Sequence, residues 1–235
     1  DEVYRHCNTK LCSAHFVSSI SAKNRVIRLG ETPESVFVLG SPELDTHNKK
    51  TGISITSVRK RYDIVWDDFG IAIFHPVTSE LHSIEIQAEK FFHSLLQSKR
   101  NFVLIAPNND PGSSQIFKII ESLPKENFRL IPSMRFLYFS ELLRHSKVLV
   151  GNSSAGVREA PFLGLPSLDI GTRQNLRNQS ESIFSATAFE NEKIMDFLSK
   201  QWGKKYKKDR SFGIGNSSEN FKKILSSAEL WKLPL

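Results

Sequence analysis

The sequence predicts an α/β chain built on a doubly wound parallel sheet. Short apolar, β-branched runs alternate with amphipathic segments of helical period along most of the 235 residues. The spacing between runs leaves room for a crossover helix between parallel strands. Clusters of Gly, Pro, Asn, Asp and Ser also follow directly after the strand-like runs, at one end of each.

The elements follow in order. Val3, Cys7 and Leu11 fall at i, i+4 and i+8, which predicts a helix from about Asp1 to Ser13. His15 to Ser18 is a short strand, Ser21 to Leu29 a helix, and Gly30 suits that helix's C′ position. Val36 to Leu39 is a strand. The breaker Gly40-Ser41-Pro42 and the polar stretch Thr46 to Lys50 then mark a boundary, giving domains of 1–44 and 45–235. Beyond it come strands at Gly70–Phe74, Phe102–Ala106, Phe128–Ile131, Val148–Val150 and Ser167–Ile170. Helices are expected at Leu81–Leu96, Ser114–Leu123, Phe136–His145 and Val157–Leu163, with two more near Lys193–Trp202 and Asn216–Ser226.

The charged fraction of 24% and apolar fraction of 39% are those of an ordinary globular protein. No apolar run reaches the length of a membrane-spanning helix. The first residue is Asp1 and a helix pattern begins at once, so the chain is expected to be a fragment with a segment upstream. Cys7 and Cys12 match no zinc or redox spacing. They are expected to be buried free thiols in a reducing cytoplasm. The net charge of +7 owes much to Lys200, Lys204, Lys205, Lys207, Lys208 and Arg210. Such a run is a solvated face or a nucleic-acid contact, and with no nucleic-acid motif beside it the solvated face is expected.

Position carries the functional reading. His75-Pro76-Val77-Thr78 follows GIAIF, Pro107 to Gly112 follows FVLIA, and Pro132-Ser133-Met134 follows FRLI. Gly151 to Gly156 follows KVLV, and Gly171-Thr172-Arg173 follows SLDI. Ligands of open α/β sheets bind at this C-terminal strand edge. Asn-Asp-Pro-Gly is also a turn in its own right, and Asn152 to Gly156 could simply cap a helix. Ser153 and Ser154 at a helix N-terminus, with Arg173 facing the same edge, read as a diphosphate cradle. Glu159, just inside that helix, caps it or accepts the hydroxyls of a ribose. His75 stands alone among seven histidines in lying at a strand's C-terminal edge with such neighbours, and it can change protonation near neutral pH.

HPVTSE (75–80), PNNDPGS (107–113) and GNSSAGVREAPFLGLPSLDIGTRQ (151–174) resemble the hydrolysing UDP-N-acetylglucosamine 2-epimerases. These include bacterial sialic-acid pathway enzymes and the epimerase half of the animal epimerase/kinase. DEVYRHCNTKL (1–11) and SFGIGNSS (211–218) resemble the same family, so the likeness runs along nearly the whole chain. It implies a glycosyltransferase-B-like fold of two Rossmann-like domains, with 1–44 the end of the first and 45–235 the UDP-binding second. It further implies a homo-oligomer when full length, a UDP-sugar substrate and no cofactor. By motif, His75 lies at the diphosphate and sugar, Asn108 lines the site and Met134 meets uracil through its backbone. Ser153 and Ser154 hold phosphate, Glu159 the ribose and Arg173 the diphosphate region. Asp1 and His75 are the acid/base candidates, although a helix-initial Asp is also favoured by the dipole.

The implied reaction eliminates UDP across C1–C2 and then hydrates the glycal, releasing N-acetylmannosamine. The family's Gly-Gly-Glu carboxylate is absent, so this chain alone is expected to be inactive. Pro132 and Ser133 replace the residues that bind a CMP-sialic acid inhibitor in the animal enzymes. Three rivals share features with this reading. They are a glycosyltransferase of the same architecture, a 2-epimerase of UDP-2,4-diacetamido-2,4,6-trideoxyglucose, and a basic nucleic-acid-binding module.

Overall fold

A computed structural model describes residues 2–233 apart from Leu176. The chain forms two compact units, Asp1–Lys50 with Arg210–Leu235, and Thr51–Asp209.

The first unit begins with α1 (Glu2–Leu11), β1 (His15–Val17), α2 (Ile20–Arg28), β2 (Val36–Val38) and α3 (Glu43–Asn48). β1 and β2 pair in parallel, with His15 beside Val36. α2 is their crossover: the Ser19 hydroxyl accepts from the Ala22 N–H at 3.1 Å and opens it, and Gly30 lies just past its end. Cys7 and Cys12 are exposed, against the expectation of burial. The reason is that α1 covers little: Val3 and Leu11, the other members of the apolar spacing, are 71% and 83% exposed.

The second unit holds α4 (Ile55–Tyr62), β3 (Gly70–Ile73), α5 (Ile84–Gln97), β4 (Phe102–Ile105) and α6 (Ser113–Glu121). It continues with β5 (Phe128–Ile131), α7 (Phe136–His145), β6 (Leu149–Gly151), α8 (Glu159–Leu163), β7 (Ser167–Ile170), β8 (Ile183–Ala186) and α9 (Asn191–Lys200). A 3₁₀ segment kinked at Glu80, Thr78–Ser83, precedes α5, and a single 3₁₀ turn, Ser154–Gly156, precedes α8. The six strands form one parallel sheet in the order β5-β4-β3-β6-β7-β8. Every residue of β3 and β7 is buried, as strands covered on both faces must be.

Side-chain alternation divides the core between the two faces. Ala72, Phe74, Val150 and Leu168 point to a cluster with Phe91, Phe92 and Leu95 of α5, Ile116 of α6 and Phe197 of α9. Ile71, Ile73, Val103 and Leu149 point the other way, to Val58 of α4, Leu142 and Leu143 of α7 and Ala160 of α8. Each such fully buried Leu, Ile or Phe contributes about 1.5–3 kcal/mol, far more than any local propensity, so the buried faces fix where the helices lie.

The chain then returns to the first unit with α10 (Ser217–Leu225) and α11 (Ala228–Trp231). The domain reading groups these residues with 45–235, but within the structure they pack with 1–50. The Ser41 N–H donates to the Phe212 carbonyl at 2.7 Å, and Asn220 Nδ2 donates to the Leu39 carbonyl at 2.9 Å. Asp45 of α3 accepts from the Ser217 N–H at 2.7 Å, the Ser218 N–H at 2.9 Å and the Ser218 hydroxyl at 2.6 Å. A carboxylate therefore caps α10 from a stretch that reads as linker.

Candidate active site

The strand order steps outward from β3 in one direction and from β6 in the other. Adjacent β3 and β6 thus form the topological switch point, where an open parallel sheet leaves a crevice beyond its strand ends. Gly151 closes β6 at φ 125°, and a Cβ there would lie 1.9 Å from the Ile73 carbonyl oxygen. Only glycine lets the two backbones approach so closely. The next residue, Asn152, donates its N–H to the Ile73 carbonyl at 3.0 Å. Its side chain is 1% exposed and grips His75 by the backbone. Oδ1 accepts from the His75 N–H at 2.7 Å, and Nδ2 donates to the His75 carbonyl at 2.8 Å.

The His75 ring is fixed from the other side. Its Nδ1 accepts from the Asn108 N–H at 3.1 Å, which places the proton on Nε2. Burial and the nearby Arg173 guanidinium lower its pKa to about 4, against an opposing pull from the Asp110 carboxylate and the Asn108 bond. The ring is therefore neutral at neutral pH, which corrects the expectation that it titrates there.

The loop after β7 meets the same point. Arg173 Nη1 and Gln174 Nε2 both donate to the Asn152 carbonyl, at 3.2 and 2.9 Å. Thr172 donates to Glu80 of the HPVTSE turn, and Gln87 Nε2 holds the other Glu80 oxygen at 3.0 Å. Those two bonds lower the Glu80 pKa.

A cavity of about 250 Å³ opens beside this knot. Ile73, Ile105, Met134, Phe136 and Phe139 give it an apolar wall, and His75, Ser153 and Glu159 its polar side. Glu159 is 7% exposed and is the first residue of α8. The helix expected from Val157 thus starts two residues later, after a 3₁₀ turn in which the Ser153 hydroxyl accepts from the Ala155 N–H at 3.3 Å. Of the sequence-derived residues, the structure gathers His75, Met134, Ser153 and Glu159 around one cavity. Asn108 joins through His75, and Arg173 through Asn152. Ser154 lies on the 3₁₀ turn and does not line the cavity. Asp1 lies outside the described residues. Asn108 Oδ1 is buried without a hydrogen-bond partner among the described residues, an acceptor left over next to His75.

Sequence reasoning missed Asn152, Gln174 and Glu80 as parts of the site. Asn152 stood inside a quoted cluster, but a strand-end Asn reads equally well as a helix cap. A larger cavity of about 550 Å³ lies along β5, lined by Trp66, Leu104, Glu121 and Arg129. It flanks the strands instead of sitting past their C-terminal ends, and it gathers none of the sequence-derived residues. Geometry therefore favours the smaller one.

The model of the family described as UDP-N-acetylglucosamine 2-epimerase matches residues 1–226. The chain is 37% identical over 237 residues to the UDP-N-acetylglucosamine 2-epimerase of Neisseria meningitidis serogroup B, covering 99% of this chain and 63% of that protein. It is 31% identical to the UDP-N,N'-diacetylbacillosamine 2-epimerase (hydrolyzing) of Legionella pneumophila, over 98% of this chain and 62% of that one. The structure of the Methanocaldococcus jannaschii UDP-GlcNAc 2-epimerase in complex with UDP-GlcNAc and UDP superposes with a TM-score of 0.73 at 18% identity, over 92% of this chain and 62% of that chain. At that identity the likeness shows the fold, which is glycosyltransferase-B-like. The chain spans slightly less than two-thirds of the length of these relatives.

Proposed function

The chain belongs to the UDP-N-acetylglucosamine 2-epimerase family, and from that premise we propose that its switch-point cavity holds the nucleoside diphosphate of a UDP-2-acetamido sugar. The observation that carries the reading is the convergence of His75, Ser153 and Glu159 on an apolar-walled cavity, with Arg173 tied to the same strand end. Arg173 has further N–H donors beyond the one on Asn152 and supplies permanent positive charge to the diphosphate. Ser153 adds a hydroxyl. Glu159 accepts the ribose hydroxyls, and the wall from Ile105 to Phe139 receives the uracil, with the Met134 backbone at its edge. Asn108 accepts a ligand donor at its vacant Oδ1.

The reaction is a hydrolysing 2-epimerisation. A base removes the C2 proton as the C1–O bond breaks and UDP departs with the electron pair. Water then adds across C1=C2, giving N-acetylmannosamine and UDP from UDP-N-acetylglucosamine and one water. Charge builds on the departing diphosphate, so preorganised donors there lower the barrier. His75 presents a neutral Nε2–H to that charge, and a bound dianion favours its protonated form. Asp1 is the acid/base candidate at C2 by family resemblance. Similarity to the Legionella hydrolyzing UDP-N,N'-diacetylbacillosamine 2-epimerase supports the hydrolysing type, and it also favours a second reading in which the sugar is a 2,4-diacetamido-trideoxy sugar.

Because the chain spans 63% of the Neisseria relative, turnover is proposed for a protein of the relatives' full length, acting in the cytoplasm as a homo-oligomer. The 235-residue chain is proposed to bind UDP without turnover. Product analysis tests the reaction. Free N-acetylmannosamine carrying one solvent deuterium at C2, together with UDP, is expected. Formation of UDP-N-acetylmannosamine, with the C1–O bond intact, would exclude the hydrolysing type.

A further inference from the structure

β6 ends at Gly151, which pairs with Ile73, two residues short of the position that would give the His75 peptide groups their ladder partners. Asn152 supplies them with its side chain. Its carboxamide copies a peptide unit, with an acceptor for the His75 N–H and a donor for the His75 carbonyl. Few side chains can do this. A carboxylate of the same length has no donor, a hydroxyl has too short a reach for both groups, and glutamine carries its carboxamide one methylene further out. The Asn152 backbone carbonyl in turn takes one donor each from Arg173 and Gln174. One buried residue is thus bonded to the two groups that the proposed function places on the departing diphosphate, although they come from different strand ends.

We propose that Asn152 is a positioning residue for this site. By holding the His75 backbone, it keeps the ring where Nδ1 meets the Asn108 N–H and Nε2–H faces the anion, and it sets the Arg173 guanidinium beside that same point. This rests on the reading of the cavity as a diphosphate site, but its local geometric part stands apart from that reading.

The test uses the 235-residue chain with ¹⁵N-labelled histidine and follows the His75 ring nitrogens while UDP is titrated. Wild-type protein is expected to show a single Nε2–H tautomer and to bind UDP. Asn152→Ala removes both bonds and is expected to give a tautomer mixture for His75 and at least tenfold weaker UDP binding. If the alanine variant does not fold, Asn152→Asp keeps the acceptor and loses only the donor, and the tautomer mixture is again expected. Gln174→Ala leaves the carboxamide grip in place and is expected to keep the single tautomer. A variant at Asn152 that folds, retains the Nε2–H tautomer and binds UDP within twofold of wild type overturns the proposal. If wild type does not bind UDP but Asn152→Ala still disturbs the tautomer, the positioning of His75 stands and the diphosphate reading falls.

Discussion

Half-buried His75 and buried Asp169 are two ionisable groups whose pKa values move in opposite directions. His75 is lowered to about 4, chiefly by burial. Asp169, in the middle of β7, is raised to about 6, again chiefly by burial, with Arg177 opposing. Its Oδ1 has no hydrogen-bond partner among the described residues. Linkage gives the sign for each. The neutral histidine contributes stability in full above its unfolded value near 6.5, and this is lost as pH falls towards 4. The aspartic acid contributes most below its unfolded value near 3.8, and this is lost as pH rises through about 6. The two trends partly cancel in the wild type. His75→Asn should therefore flatten the loss of stability on acidification, and Asp169→Asn should raise the melting temperature at pH 7 with little change at pH 4. Melting curves across pH 4–7.5 check both; parallel curves for all three proteins would contradict the burial argument.

Arg173 yields a second expectation at this scale. Arg173→Ala should weaken UDP binding and Arg173→Lys should restore it only in part, because a point charge cannot reproduce the guanidinium fork. Calorimetric titration separates the cases, and full rescue by lysine would reduce the role of Arg173 to net charge. That His75, Ser153 and Glu159 lie around one cavity was legible because position just past the strand ends picks out polar residues in an open sheet. Asn152 was not, because its task is defined by a partner 77 residues away in sequence.

At the level of elements, strands β3 to β7 were legible because central parallel strands are short apolar runs bounded by breakers. α3, α4, β8 and the four-residue α11 were not. α3 is five polar residues and Leu44, and its burial comes from tertiary partners: Leu44 is 1% exposed and His47 2%. α4 carries a single buried residue, Val58, too few to show a period. β8 is an edge strand, only one of whose four residues is buried, so it lacks the apolar run of its neighbours. α3 nonetheless has a defined energetic role through Asp45. Burial pushes that carboxyl's pKa up, but hydrogen bonds from Ser218 and Ser217 outweigh it and hold the pKa below the usual aspartate value. Asp45→Ala should cost about 1–2 kcal/mol, the usual worth of a helix N-cap. For the wild type, the cap's contribution is present above the ordinary aspartate range and fades as pH falls below it. A shift of the denaturant midpoint at pH 7 that disappears at pH 2–3 is the expected pattern; an unchanged midpoint at pH 7 would remove α10 capping from the account.

For the whole molecule, the doubly wound class and the family were both legible, since alternation of elements and the long 151–174 motif survive without any tertiary information. The grouping of residues 210–235 with 1–50 was not, because it depends on bonds such as those from Ser217 and Ser218 to Asp45 that carry no periodic signal. The basic residues Lys204, Lys205, Lys207 and Lys208 are exposed.

The central claim is that the cavity beyond β3 and β6 is built for a nucleoside diphosphate. Calorimetric titration of the 235-residue chain with UDP and, separately, with pyrophosphate tests it most directly when repeated on Glu159→Gln. Saturable one-to-one UDP binding is expected, weakened by Glu159→Gln by about 1.5–3 kcal/mol, the worth of a hydrogen bond to a charged group, while pyrophosphate binding is unchanged. UDP binding that is absent, or that Glu159→Gln leaves intact, would contradict it.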